Sequence, residues 1–192
     1  MASFDRYFEK LVENEGGFKL INVKGDTGGQ TYCGISRNNW PGWAGWKLID
    51  NGITDRASME APVRLFYIQN FWDRCNASSI DSQNIAEAIV DFAINAGEIT
   101  SIKLAQIASG LCGKDVDGKI GKRTLDAING INEFDFLRDF ALSKMHYYLW
   151  ICNNRRRTGK TAAERTSQDR FLVGWGNRAL AGAGIDATKK PF

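Results

Sequence analysis

The sequence predicts an α+β fold, predominantly α-helical, with one small β-hairpin lobe near the N-terminus. Apolar residues recur at helical spacing through most of the 192-residue chain. One stretch, Gly25 to Ser36, instead collects glycines and the β-formers Thr27, Thr31, Tyr32 and Ile35. Nowhere do strands and helices alternate in the sustained way that a parallel sheet requires.

The first helix is expected over residues 4 to 15, where Phe4, Tyr7, Phe8, Leu11 and Val12 share one face and Gly16-Gly17 supplies the stop. The glycine-rich hairpin follows, and Trp40-Pro41-Gly42-Trp43 through Gly52 reads as an irregular loop. A second helix is expected from about Ser58, with Val63, Phe66, Tyr67 and Phe71 among its apolar positions and Pro62 fitting only near its first turn. A third spans about Gln83 to Asn95, with Ser82 as N-cap and Gly97 as terminator. Asp91 and Asn95 lie four apart on it and project from one face.

Downstream, helices are expected around Ile102 to Ser109, Lys122 to Ile128 and, with Asn132 as N-cap, Glu133 to Cys152, with a turn at Asp117-Gly118. Arg155, Arg156, Arg157 and Lys160 with Gly159 read as a solvated basic loop, and Phe171, Leu172 and Trp175 mark a final helix. No internal repeat is visible.

Composition excludes several functions. A hydrophobic fraction of 43% supplies ample core, and a net charge of +3 is too mild for a nucleic-acid partner. No uncharged run approaches the roughly 18 residues that a membrane span needs, so no stable membrane insertion is expected. The charged opening stretch lacks the apolar core of a secretory signal. The four cysteines, Cys33, Cys75, Cys112 and Cys152, form no C-x-x-C pair, and with one histidine, His146, metal-ligand supply is poor. His146 sits in an apolar helical stretch, where a packed histidine is the commoner role. Lys119 and Ile120 break the calcium loop that Asp115-Val116-Asp117-Gly118 superficially suggests, and no phosphate-binding glycine loop is present. No metal and no cofactor is expected.

Paired carboxyls remain. Cleavage of a glycosidic bond needs a proton donor for the leaving oxygen and usually a second carboxylate. Glu15, at a helix C-terminus among apolar groups, sits where both the dipole and burial raise a carboxyl pKa. The same letters also spell a solvated helix end with a glycine cap. Asp26 lies in the hairpin, where it could face Glu15 across a cleft and Thr31 could orient a water, although aspartate before a glycine pair is also an ordinary turn residue. Tyr67 and Trp72 are candidates for stacking on sugar faces, and Asp91 and Asn95 for lining the cleft; core packing and helix polar pairs are the competing roles.

Glu15-Gly16-Gly17-Phe18 and Gly25-Asp26-Thr27-Gly28-Gly29-Gln30-Thr31-Tyr32-Cys33-Gly34-Ile35-Ser36 together resemble the signature of glycoside hydrolase family 108, which includes N-acetylmuramidases and phage-type endolysins. The resemblance continues through Tyr67 to Phe71-Trp72-Asp73 and through Asp91-Phe92-Ala93-Ile94-Asn95-Ala96-Gly97. The rest of the chain, with Val116-Asp117-Gly118-Lys119-Ile120-Gly121 and Gly174-Trp175-Gly176-Asn177-Arg178, is similar to the peptidoglycan-binding region commonly joined to that family. Asn22-Val23-Lys24-Gly25 departs from the family's acidic, proline-containing approach to the hairpin.

The resemblance implies a lysozyme-like catalytic region at 1–97 and a helical peptidoglycan-binding region at 98–192 packed against it. It implies hydrolysis of the β-1,4 bond between N-acetylmuramic acid and N-acetylglucosamine, with Glu15 as general acid and Asp26 and Thr31 handling water. Peptidoglycan is the expected partner, at the bacterial cell wall or periplasm, with a holin or an export route for delivery. A lytic transglycosylase and a noncatalytic peptidoglycan-binding or secretion-assisting module are the rival expectations.

Overall fold

A computed structural model describes residues 1–22 and 29–184. Helix α1, Phe4–Asn14, buries Phe4, Tyr7, Phe8, Leu11 and Val12, the i, i+3, i+4, i+7, i+8 set that a single helical face dictates. Its end is a Schellman turn: Gly16 and Gly17 have φ of +85° and +78°, and their N–H groups donate to the Glu13 and Val12 carbonyls at 3.3 and 2.8 Å. Glu15 is the C-cap.

The β lobe starts earlier than the expected hairpin. Strands β1 (Leu20–Asn22), β2 (Gln30–Tyr32) and β3 (Ile35–Ser36) form an antiparallel sheet in the order β1-β2-β3. β1 is fully exposed and only three residues long, too short to show the alternation that marks a half-buried strand. Tyr32 pairs with Ile35, leaving Cys33-Gly34 as a two-residue turn; both have positive φ (47° and 74°), as a type I′ turn requires.

The expected loop before residue 52 contains a helix, α2, Gly45–Asp50. Its signal is hidden by its six-residue length and its glycine and proline flanks, but Trp46 and Ile49 are buried and the indole N–H of Trp46 donates to the Trp40 carbonyl at 2.8 Å. Helix α3, Arg56–Tyr67, begins two residues before Ser58, because Asp55 rather than a later residue caps it, accepting from the Ser58 N–H at 3.0 Å. Pro62 therefore stands at the seventh helical position, not in the first turn. A π turn at Ile68–Trp72 follows.

Helix α4, Gln83–Ala96, runs from the Ser82 cap to Gly97 (φ +86°) close to its expected limits. Helix α5, Glu98–Ala108, follows at once, and the Ser101 hydroxyl donates to the Ile89 carbonyl at 2.6 Å, clamping α5 against α4. The Gln106 side chain bonds Asp117, Lys119, Thr124 and the Gly118 N–H, holding the turn that leads into α6, Lys122–Gly130.

Helix α7, Glu133–Thr158, runs on past the expected end, so Arg155 to Arg157 belong to its last turns rather than to a loop. Phe136, Phe140, Lys144, Tyr148 and Cys152, spaced by four, are all buried along it, while His146 is exposed rather than packed. Short α8 (Ala162–Thr166) and α9 (Leu172–Ala181) complete the chain, α9 packing on α7. The core joins α1, α3, α4, α5 and α7; Phe92 of α4 meets Phe140 edge-on at 5.9 Å. Cys33, Cys75 and Cys152 are buried and Cys112 is exposed.

Candidate active site

Glu15 is positioned by two turns. The Schellman turn of α1 halts the helix with the Glu15 side chain half-buried, and the type I′ turn of the β lobe comes up against it. A Cβ on Gly34 would lie 2.1 Å from Glu15 Oε2 and 2.6 Å from the Tyr67 hydroxyl. Only glycine permits that approach, on steric grounds and because φ there is +74°. The Tyr67 hydroxyl in turn donates to the Cys33 carbonyl at 2.8 Å, tying α3 to the same turn.

Beyond Glu15 opens a cleft of about 500 Å³. Tyr7, Lys10 and Asn14 line it from α1, Asn84, Glu87 and Asp91 from α4, Lys144 from α7, and Arg178 and Gly182 from the α9 end. Its walls therefore come from both the N-terminal and the C-terminal half of the chain. Among the described residues, Glu15 has neither an ion pair nor a side-chain hydrogen bond. Burial first, and the Asp91 carboxylate second, hold its pKa above the ordinary glutamate value, while Arg178 pulls the other way.

The other charges of the cleft are partly spoken for. Glu87 accepts from Lys10 and from Gln83, each at 2.8 Å. Asp91 takes a long 3.5 Å contact from the Asn14 amide. Arg178 donates to Asn95. Lys144 is 4% exposed and its pKa falls from 10.5 to about 8, chiefly through burial. The Tyr7 hydroxyl is buried without a hydrogen-bond partner among the described residues, and burial pushes its pKa far up.

Of the residues expected at the site, Glu15 and Asp91 share this cleft. Asn95, one turn on, donates to the Asp91 carbonyl at 2.7 Å and lines a neighbouring groove of about 420 Å³ with Tyr148, Trp175 and Arg178. Thr31 is half-buried on β2, between Ile21 and Ser36 in the sheet, and does not line the cleft. Asp26 lies outside the described residues.

Tyr67 and Trp72 lie behind the cleft wall rather than on it, each 2% exposed. Trp72 stacks on Tyr7 at 6.0 Å and meets Phe4 edge-on at 5.5 Å, with its indole N–H on the Ser78 hydroxyl. Sequence reasoning passed over Tyr7, Lys144 and Arg178. Tyr7 is indistinguishable from a core residue by periodicity. Lys144 carries a signal, since a lysine four residues from Phe140 and four from Tyr148 stands in the apolar stripe where no unpaired charge belongs.

Residues 8–97 match the family model described as Glycosyl hydrolase 108, and residues 100–180 match the one described as Predicted Peptidoglycan domain. Among solved structures, Brucella abortus SagA is similar over 96% of this chain and 97% of its own, at 20% identity and a TM-score of 0.59, a likeness of fold. No curated protein matches the chain. Among the described residues, no helix is long and apolar enough to cross a membrane.

Proposed function

We propose that this chain, which carries a glycosyl hydrolase 108 domain at residues 8–97 and a peptidoglycan-binding domain at residues 100–180, is an N-acetylmuramidase with Glu15 as its general acid. The two domains support a glycosidase acting on peptidoglycan. The bond is the β-1,4 linkage between N-acetylmuramic acid and N-acetylglucosamine, the catalytic region is residues 1–97, and residues 98–192 hold the strand.

The observation that carries the reading is the Glu15 carboxyl: half-buried, unpaired, facing a cleft, and held toward its protonated form by burial and by Asp91. A neutral carboxylic acid beside a sugar-sized cleft supplies the proton that the leaving oxygen needs. The Asp91 carboxylate disfavours a second negative charge on Glu15 and so helps to keep that proton in place. Asp26, the second carboxylate of this reading, activates the water that completes hydrolysis. The aromatic groove lined by Tyr148 and Trp175 continues from the cleft through Arg178 and gives the strand an apolar face beyond the cleaved bond.

The test uses purified bacterial cell walls. Glu15→Gln is expected to keep its far-ultraviolet circular dichroism and lose roughly 10²- to 10⁴-fold in the release of reducing ends, the usual contribution of a general acid. Mass spectrometry of the fragments is expected to show hydrated reducing ends. Anhydro ends would replace hydrolysis by transglycosylation, and wall binding without any turnover would leave a noncatalytic module.

A further inference from the structure

Among the described residues the cleft holds a buried cation, Lys144, that no side-chain anion pairs with. Lys144 is 4% exposed and lines the cleft, yet among the described residues it makes no hydrogen bond and no ion pair. Among the described residues its ammonium lies over the rings of Phe140 and Phe92, at 5.0 and 5.8 Å, and the nearby Asp91 carboxylate favours its charge without pairing with it. Cation–π contact of that kind offsets only part of the penalty for burying an ammonium.

Among the described residues no anion of the protein pairs with Lys144. Glu87 is held by Lys10 and Gln83, Glu15 is kept toward its neutral form, and Asp91, which contacts the Asn14 amide, favours the Lys144 charge but forms no ion pair with it. Two further donors face the same space: the Tyr7 hydroxyl, 0% exposed and unpartnered, and the Arg178 guanidinium. Access is left open at residue 182, where a Cβ would stand 2.7 Å from the Lys144 ammonium; glycine there leaves room for a ligand oxygen.

We propose that Lys144, Arg178 and the Tyr7 hydroxyl form an anion subsite that takes a carboxylate of the glycan substrate. This rests on the glycan-cleaving reading above. Peptidoglycan offers such carboxylates in two places, on the lactyl ether of an unsubstituted N-acetylmuramic acid and on the peptide stems, whereas a neutral amino-sugar polymer offers none. The subsite, supplied mainly by the C-terminal half of the chain, selects peptidoglycan over uncharged strands at the cleft that Glu15 serves.

Binding is read by titration calorimetry in the Glu15→Gln protein, so that turnover does not consume the strand. The ligands are glycan strands stripped of peptide, strands with stems intact, and the methyl esters of each. Esterification is expected to weaken binding tenfold or more. A loss seen with stripped strands identifies the lactyl carboxylate as the ligand, and a loss seen only with stems intact identifies a stem carboxylate. In Lys144→Met the acid-to-ester ratio is expected to fall below threefold. Gly182→Leu, which fills the space over the ammonium, is expected to do the same and serves if the first variant does not fold. Equal binding of acid and ester overturns the subsite alone, as does a ratio that survives both substitutions. Failure of every strand to bind removes the subsite and the glycan reading together.

Discussion

Burial and two charged groups set the protonation of Glu15: burial and the Asp91 carboxylate raise its pKa, and Arg178 lowers it. The signs give opposite predictions for two substitutions. A general acid works while protonated, so activity is lost as pH rises through its pKa. Asp91→Asn removes a raising charge and is expected to move the alkaline limb of the pH–rate profile to lower pH. Arg178→Gln removes a lowering charge and is expected to move it to higher pH, less so at high salt because Arg178 is exposed and screened. Shifts of the same sign in both variants would contradict this electrostatic account. Gly34 offers a steric test at the same carboxyl. Gly34→Ala puts a methyl group 2.1 Å from Glu15 Oε2 in a left-handed backbone conformation, and displacing a catalytic group by about 1 Å costs on the order of 100-fold in rate. Such a fall in kcat in a protein that remains folded is the expected outcome; unchanged kcat would mean that the turn does not position the acid.

Caps and terminators decide where the elements stop, and therefore where the functional side chains stand. α1 ends in a Schellman turn that fixes Glu15, and α4 begins at the Ser82 cap that fixes the phase of Asp91. α7, which carries Lys144, starts where the Asn132 side chain accepts from the Phe134 and Asp135 N–H groups at 2.9 and 3.3 Å. Asn132→Ala is expected to cost about 1 kcal/mol, read as a drop of about 2–4 °C in Tm. The same devices explain what was legible in the sequence. α1 and α4 pair an apolar face with a cap or a glycine stop, so their limits and the carboxyls Glu15 and Asp91 could be read from the residues. α2 could not, being one and a half turns between glycines, nor could β1, whose three residues are all exposed. Pro62 misled because its placement followed from a helix start set two residues late, and the arginines after Cys152 looked like a loop only because no apolar residue marks them as helix. Tyr7 stayed hidden for a different reason: it occupies a core position by spacing, and only the folded cleft shows its hydroxyl facing inward, whereas the charge of Lys144 within an apolar stripe was a legible signal.

At the scale of the molecule, one cleft joins the two halves of the chain, with Glu15 and Asp91 from the first and Lys144 and Arg178 from the second. That arrangement costs stability. The folded pKa of Lys144, about 8, lies below its unfolded value of 10.5, so between those limits the unfolded chain binds more protons and stability rises with pH. Below pH 8 the penalty is fully present, at most on the order of 3 kcal/mol. Lys144→Met is therefore expected to raise Tm by several degrees at pH 7, with an advantage that shrinks as pH climbs from 8 toward 10.5. An advantage independent of pH would mean that lost charge is not its cause. The central claim, however, concerns the acid at the end of α1. Carbon-detected NMR titration of the Glu15 side-chain carboxyl in the folded protein tests it most directly. The account predicts a pKa above the ordinary glutamate value of 4.5, falling when Asp91 is replaced by Asn. A carboxyl that titrates at or below 4.5 in both proteins would contradict it.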